Sequence, residues 1–442
     1  MKLTYGIKDK PAFGKTVVFA LQQLLAILAA TIAVPSIVGN GMSQSAALFG
    51  AGIGTIVYLL FTGFKSPVFV GSSFAFLGSM FAAFGGAASV SVGYAGIIIG
   101  AIFAGLVYVV IAIVVKFAGV KWIDKLMPPV VIGPTVAIIG LSLAGNAIGD
   151  ALSLAGPDHV MTLPGWAGLI CALVTLITVI LCSVYGKKMM KLIPFIIGIG
   201  AGYLCALIFT GIGYAAGNDA LKIIDFTKFQ NIQWVPDFSF IKGIEGLKDI
   251  DATYIATIAV AYIPVAFVVF AEHIADHKNL STIIDHELLQ DPGLHRTLLG
   301  DGVGSMVGAF FGGCPNTTYG ESIGCVAITG NASVITILFT AVIAMLASFF
   351  APFVTLLSTI PSCVMGGVCI TLYGFIAVSG LKMIQPVDLN DNANLFTVSV
   401  ILIAGIGGMA LTIGKVTLTE VACALILGII VNLIGNMKKK NA

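Results

Sequence analysis

The sequence predicts an all-α polytopic membrane protein with fourteen transmembrane segments in two inverted seven-span repeats. Three observations carry this. First, 58% of the 442 residues are hydrophobic and only 10% are charged, whereas a soluble domain carries about 25% charge. Second, lysine and arginine cluster on one side of an even number of apolar runs. Third, two pairs of Pro/Gly-containing segments recur seven spans apart.

A helical span needs about 20 apolar residues. Runs that qualify, or nearly so, cover 16–38, 45–63, 68–85, 92–115, 128–148, 163–184, 192–214, 252–275, 298–312, 317–330, 333–356, 362–380, 393–411 and 416–436. The third and tenth are short and broken. The basic stretch from Met1 to Lys15 leads into a run too long for a signal peptide and without a cleavage site, so the first span is expected to stay in the mature chain. With the amino terminus in the cytoplasm, the inside set is Lys2 to Lys15, Lys65, Lys116, Lys121, Lys125, Lys187, Lys188, Lys191, Lys278, Arg296, Lys382 and Lys438 to Lys440. Only Lys222, Lys228, Lys242, Lys248 and Lys415 fall outside. Four of those five lie in one long loop, which weighs less in the orientation rule. Both termini are therefore expected to be cytoplasmic.

The repeat is read from two alignments. Met127-Pro128-Pro129-Val130-Val131-Ile132-Gly133 resembles Ile360-Pro361-Ser362-Cys363-Val364-Met365-Gly366, at spans 5 and 12. Pro67-Val68-Phe69-Val70-Gly71-Ser72-Ser73 resembles Pro315-Asn316-Thr317-Thr318-Tyr319-Gly320-Glu321, at spans 3 and 10. An offset of seven is odd, so the halves insert upside down relative to each other. Inverted repeats with paired broken spans point to a transporter site near the midplane.

The stretch Cys314 to Gly324 is the centre of this pattern. Pro315 removes a backbone donor and disfavours helix before it. Thr317, Thr318 and Tyr319 prefer extended backbone, and a carboxylate, Glu321, closes the stretch. Irregular backbone at membrane depth is tolerated where protein buries it or water reaches it. An ionisable residue there marks a functional site. A half-helix starting near Glu321 would aim free N–H groups at a ligand.

Span 8 ends in Ala271-Glu272-His273-Ile274-Ala275-Asp276-His277-Lys278. Glu272 and Asp276 share one helix face, and His273 and His277 share another. Carboxylates on two spans, Glu272 and Glu321, suit a neutral planar substrate that shows N–H donors, and they suit proton coupling. Glu272 lies late in its run, near the expected cytoplasmic end, unless Pro264 bends the span. His277 and Lys278 read as a solvated end, and Asp285 to Arg296, with His286 and His295, as a loop. Tyr373 reads as core on spacing alone. A membrane-embedded metalloenzyme is a second reading, because His273 and His277 have the spacing of two zinc ligands, but no third ligand stands out. A channel is a third. The eight cysteines include no CxxC pair, and Cys314 alone stands beside polar residues. No cofactor or metal is expected. The net charge of +2 argues neither for nor against nucleic acid, and no such partner is expected.

At Gly71-Ser72-Ser73-Phe74-Ala75-Phe76, Ala271-Glu272-His273, Asp291-Pro292-Gly293-Leu294-His295-Arg296 and Pro315 to Glu321, the chain resembles the nucleobase–ascorbate transporter (nucleobase:cation symporter) family, and within it the bacterial uracil permease branch. The resemblance runs over essentially the whole chain. It implies a core domain of 1–126 and 250–359, a gate domain of 127–249 and 360–442, and short strands in spans 3 and 10. Carried over by position, Glu272 and Glu321 would hold the pyrimidine. The backbones of Phe74 and Gly320 would add hydrogen bonds, and Ala30, Tyr319 and Tyr373 would line the pocket. It further implies no enzyme activity but uracil:proton symport across the bacterial inner membrane by alternating access, in a homodimer. Xanthine, urate or another base, or sodium coupling, is the runner-up. One departure stands out: where the family's best-known member has a histidine linked to proton coupling four residues after the span 8 glutamate, this chain has Asp276, with His277 one place on. Glu272, Asp276 and His273 are the proton-coupling candidates.

Overall fold

The computed structural model describes residues 3–119, 128–187, 189–230, 232–413 and 416–437. Met1, Lys2, Lys121, Lys125, Met127, Lys188, Lys415 and Lys438 to Lys440 lie outside those residues. The first half holds α1 (Phe13–Val38), α2 (Gln44–Phe61), β1 (Val70–Ser72), a short 3-10 turn leading into α3 (Leu77–Gly85), α4 (Val90–Ala118), α5 (Pro129–Ser142), α6 (Ala144–Ala151), α7 (Leu163–Tyr185) and α8 (Pro194–Ala216). A long connection carries the short α9 (Ser239–Gly246). Then come α10 (Ala252–Ile284), α11 (Leu294–Gly312), β2 (Asn316–Thr318), α12 (Gly320–Thr329), α13 (Val334–Ser348), α14 (Ala351–Ser358), α15 (Ser362–Ile384), α16 (Asn392–Ile406), β3 (Leu411–Ile413), β4 (Val416–Leu418) and α17 (Glu420–Asn436).

Among the described residues, eight helices are long and apolar enough to cross a membrane, and nine if the bent pair α13–α14 counts as one span. The other expected spans are shorter or more polar helices, such as Asn392–Ile406, Glu420–Asn436 and the two half-helices behind the strands. Helix starts follow capping chemistry. Ser43, Ser89, Thr162, Asp251 and Thr419 each accept a backbone N–H of their own first turn.

Several sequence expectations are corrected. Span 8 runs to Ile284 rather than 275, because His277 and Ser281 are buried side chains and not a solvated end. His295 and Arg296 belong to the first turn of α11 and not to a loop. The single run 333–356 is broken, with α13 and α14 bent by 81°. Span 13 stops at Ile406, and the hairpin β3–β4 separates it from α17. The sequence reading missed this hairpin because apolar residues run on through it.

Two close crossings fix the site's surroundings. A Cβ on Gly50 would sit 2.6 Å from the Gly308 carbonyl, and one on Gly54 would sit 2.8 Å from that of Gly304. Helices α2 and α11 thus touch backbone to backbone, as small residues at four-residue spacing allow. Likewise, a Cβ on Gly140 would lie 2.3 Å from the Tyr373 carbonyl, where α5 meets α15. The loop before α11 is tied to the end of α2. Lys65 Nζ lies 2.5 Å from Asp291, and Arg296 Nε donates to the Phe61 carbonyl at 2.8 Å. The hydrogen bond from Lys65 holds the Asp291 carboxyl below its usual range.

Candidate functional site

Strands β1 and β2 pair antiparallel in the interior, with Val70 opposite Thr318, Gly71 opposite Thr317 and Ser72 opposite Asn316. All six residues are buried, so their backbone groups need partners. The flanking chain and the neighbouring helices supply several of these. Ser73 N–H donates to the Pro315 carbonyl at 2.9 Å, Phe69 N–H to Ser322 Oγ at 3.1 Å, and Val70 N–H to Thr55 Oγ1 at 3.0 Å. Gln23 on α1 reaches the same Ser322 hydroxyl at 2.5 Å, and Asn316 donates to the Gly50 carbonyl at 3.0 Å. Each strand then gives way to a short helix, at Phe74 and at Gly320.

Both helix starts open on one cavity of about 370 Å³. Ser73, Phe74 and Ala75 line it from one strand end, and Thr317 to Glu321 from the other. Glu272, Ala275 and Asp276 of α10 line it as well. The opposite wall is apolar: Val136 and Ile139 of α5, Phe195 of α8, and Leu372, Phe375 and Ile376 of α15. A cavity of this size, mostly apolar with a few polar groups, has the form of a small-molecule site. The polar groups include three carboxylates as acceptors and the N–H groups of two helix starts, with Lys191 at one end of the cavity. One of the carboxylates is partnered, since Thr318 Oγ1 donates to Asp276 Oδ2 at 2.7 Å.

Of the residues singled out in the sequence, Glu272, Asp276, Glu321, Phe74, Tyr319 and Gly320 come together here. Ala30 and Tyr373 do not line the cavity. Ala30 is 1% exposed and packs in the apolar cluster with Ile27, Tyr319 and Ile323. On α15 the cavity face is Leu372, Phe375, Ile376, Ser379 and Met383, at three- and four-residue spacing. Tyr373 is therefore turned away and packs against Phe74 of the site, ring centroids 5.9 Å apart at 78°. Cys314 is buried outside the cavity lining.

His273 also faces away, about one residue's rotation round α10 from Glu272. Its Nδ1 lies 2.7 Å from Asp301 Oδ2, and its Nε2 lies 3.0 Å from Thr297 Oγ1. Both side chains of the pair are fully buried. The Thr297 hydroxyl also has the Leu294 carbonyl at 3.0 Å. It can donate to His273 Nε2, leaving a neutral ring that donates from Nδ1 to ionised Asp301. It can instead turn to Leu294 and accept from Nε2–H, and the pair then holds one further proton. The same heavy-atom geometry serves both states. His277 stacks on His273, centroids 4.0 Å apart. Its Nδ1–H donates to the His273 carbonyl at 2.8 Å, and its Nε2 meets the Tyr58 hydroxyl at 2.7 Å. The two histidines do not converge on a shared centre, and among the described residues no three His, Cys, Asp or Glu side chains form a metal-sized group. Asp301, Thr297, Gln23 and Tyr58 were missed in the sequence. Only Asp301 carries a signal there, a lone carboxylate in the apolar run from Leu298 to Gly312.

The xanthine–uracil Permease family profile matches residues 14–414. The uracil permease of Bacillus caldolyticus is 41% identical over 438 residues, covering 98% of this chain and 95% of that protein. The uracil permease of Bacillus subtilis (strain 168) is 38% identical over 439 residues, covering 98% and 95%. Among solved structures, the transmembrane domain of the cyanobacterial bicarbonate transporter BicA superposes with a TM-score of 0.61, at 16% identity, over 97% of this chain and 99% of that one. That likeness shows a shared fold. The matched profile and the full-length relatives establish that the chain belongs to the nucleobase–ascorbate permease family, among the bacterial uracil permeases, as a multi-pass membrane protein.

Proposed function

We propose that the protein is a secondary active transporter that carries uracil into the bacterial cell together with protons, across the inner membrane. The observation that carries this is the cavity between the two strand ends, where Glu272 and Glu321 offer acceptors and two helix starts offer donors. Uracil is a flat ring with N–H donors and carbonyl acceptors at its edge. The glutamates would take the N–H groups, the backbones at Phe74 and Gly320 the carbonyls, and the apolar wall the ring face. An inorganic anion, as the name of the bicarbonate transporter states for that protein, would want net positive charge, whereas this cavity sets three carboxylates against one lysine, Lys191. The relatives' names supply the base.

In this reading the fourteen spans form two inverted sets of seven. The core (1–126 and 250–359) carries the strands and glutamates, and the gate (127–249 and 360–442) carries the apolar wall. Rocking of one against the other gives alternating access. Both termini are cytoplasmic, and the gate units pair as a homodimer. The proton binds at Asp276 or Glu272, and the His273–Asp301 pair supports it from behind by accepting charge without moving.

Uptake of labelled uracil into proteoliposomes under an imposed pH gradient, with a sodium gradient as comparison, tests the proposal. Proton-driven uptake that unlabelled uracil competes and xanthine does not is the expected result. Uptake that follows sodium would overturn the coupling, and uptake competed by xanthine would move the substrate to the purines.

A further inference from the structure

A second cavity of about 350 Å³ lies behind the first, and Phe74, Ala75 and Ile139 line both. Away from this shared wall the two diverge. The first runs on to Lys191, Leu192 and Met383, and the second to Ser142, Asn146 and Glu420. One helix face traces the passage from one to the other. Val136 and Ile139 line the first cavity, and Ile139 and Ser142, a turn further along α5, line the second. The half-helix does the same with Phe74, Ala75, Gly78 and Phe81. The second cavity is thus a continuation of one path, interrupted at Phe74 and Ile139.

Its polar groups are only partly used by the fold: Asn146 is exposed and Glu420 half-buried. The Glu420 carboxylate sits in the first turn of α17, where a negative charge is favourable, but it also reaches across to α3. A Cβ on Gly78 would lie 3.8 Å from Glu420 Oε1, so the missing side chain leaves the floor open. Neither the Glu420 carboxylate nor the Asn146 amide has a hydrogen-bond partner among the described residues. Ser142 donates to the Ile139 carbonyl at 3.2 Å, which leaves its oxygen free to accept. A carboxylate acceptor, an amide with both functions, and the rings of Phe74 and Phe81 offer a sparser version of the first cavity's acceptors and ring contacts.

We infer that this second cavity is a vestibular binding site, which takes the same class of ligand, a neutral planar ring with N–H donors and carbonyl acceptors, before or after it passes Phe74. The inference rests on the reading of the first cavity as the substrate site. Lys191 lies on the side that the distribution of basic residues assigns to the cytoplasm, so the vestibule faces the other side.

The test uses full-length protein in lipid nanodiscs and proteoliposomes, with labelled uracil as probe. In the Glu321→Ala background a weak, saturable binding remains, and adding Glu420→Gln removes it. Glu420→Gln alone raises the KM for uptake from the Glu420 side roughly tenfold, the order expected for one charge-assisted hydrogen bond. It leaves the tighter Kd and the thermal melt unchanged, and Glu420→Asp restores much of the KM. No residual binding in Glu321→Ala, together with an unchanged KM in Glu420→Gln, would overturn the vestibule while leaving the first cavity intact. Wild-type protein that binds no uracil at all would overturn both.

Discussion

The Tyr319 hydroxyl donates to the Ser72 carbonyl at 2.8 Å, and its ring fills the space a Gly71 side chain would occupy, with a Cβ there only 2.7 Å from ring carbons. This one side chain therefore locks the end of β2 onto the end of β1, where both helix starts meet the cavity. Tyr319→Phe leaves the Ser72 carbonyl without that donor, a cost of about 1 kcal/mol. The expected result is a fall of several-fold in uracil affinity with a small loss in melting temperature, read by equilibrium binding and thermal unfolding. Gly71→Ala pushes the ring out and is expected to abolish transport. Wild-type affinity in Gly71→Ala would contradict the lock.

Asp276 separates binding from coupling. Asp276→Asn keeps an oxygen that can accept from Thr318 but cannot exchange a proton. It is expected to bind uracil within a few-fold of wild type and to lose accumulation driven by a pH gradient, while uracil exchange at equal pH persists. If proton-driven accumulation survives in Asp276→Asn, the proton rides elsewhere.

Much of this site was legible in the sequence, for definable reasons. Pro315 and the extended preference of Thr317 to Tyr319 announced the broken segment, and two strands stand at Val70–Ser72 and Asn316–Thr318. The helical period of α10 separated Glu272 and Asp276 from His273 and His277, and the two faces do look onto different surroundings. What could not be read was which polar residues the interior would satisfy. His277 looked like a solvated end because its partner, Tyr58, lies 219 residues away. The apolar run ends near Glu272, but the helix does not, since buried bonds carry α10 on to Ile284. Tyr373 and Ala30 show the opposite limit. Resemblance placed them at the site, but their helix rotation directs them into packing.

The buried pair His273–Asp301 makes a prediction about stability. Asp301→Ala leaves His273 Nδ1 without a partner in a dry interior and is expected to cost about 1–3 kcal/mol. Asp301→Asn keeps a hydrogen-bonding side chain in place and is expected to cost less. Thermal unfolding of the two variants in the same detergent orders them. Equal losses would mean that the pair's hydrogen bond contributes nothing.

The α2–α11 crossing predicts an effect far from any ligand. A Cβ on Gly308 would lie 2.2 Å from the Asn316 amide nitrogen, which donates to Gly50. Gly308→Ala is expected to displace β2, lowering both the melting temperature and the number of binding-competent molecules. Gly320→Ala meets nothing within 4 Å, so it is expected to leave the melt unchanged and to affect only uracil affinity. A normal melt and normal binding in Gly308→Ala would contradict the packing described.

The central claim is that the cavity between the strand ends holds uracil through its glutamates. The most direct test is equilibrium binding of labelled uracil to purified wild type and Glu321→Gln, with equal melting curves as the control for folding. Gln keeps one acceptor oxygen but loses the negative charge and turns the other oxygen into an NH2 donor facing the ring N–H groups, and a site that loses a required polar match discriminates strongly. The account predicts tight binding by wild type and a loss of at least a hundredfold in Glu321→Gln. Equal affinity in the two folded proteins would contradict it.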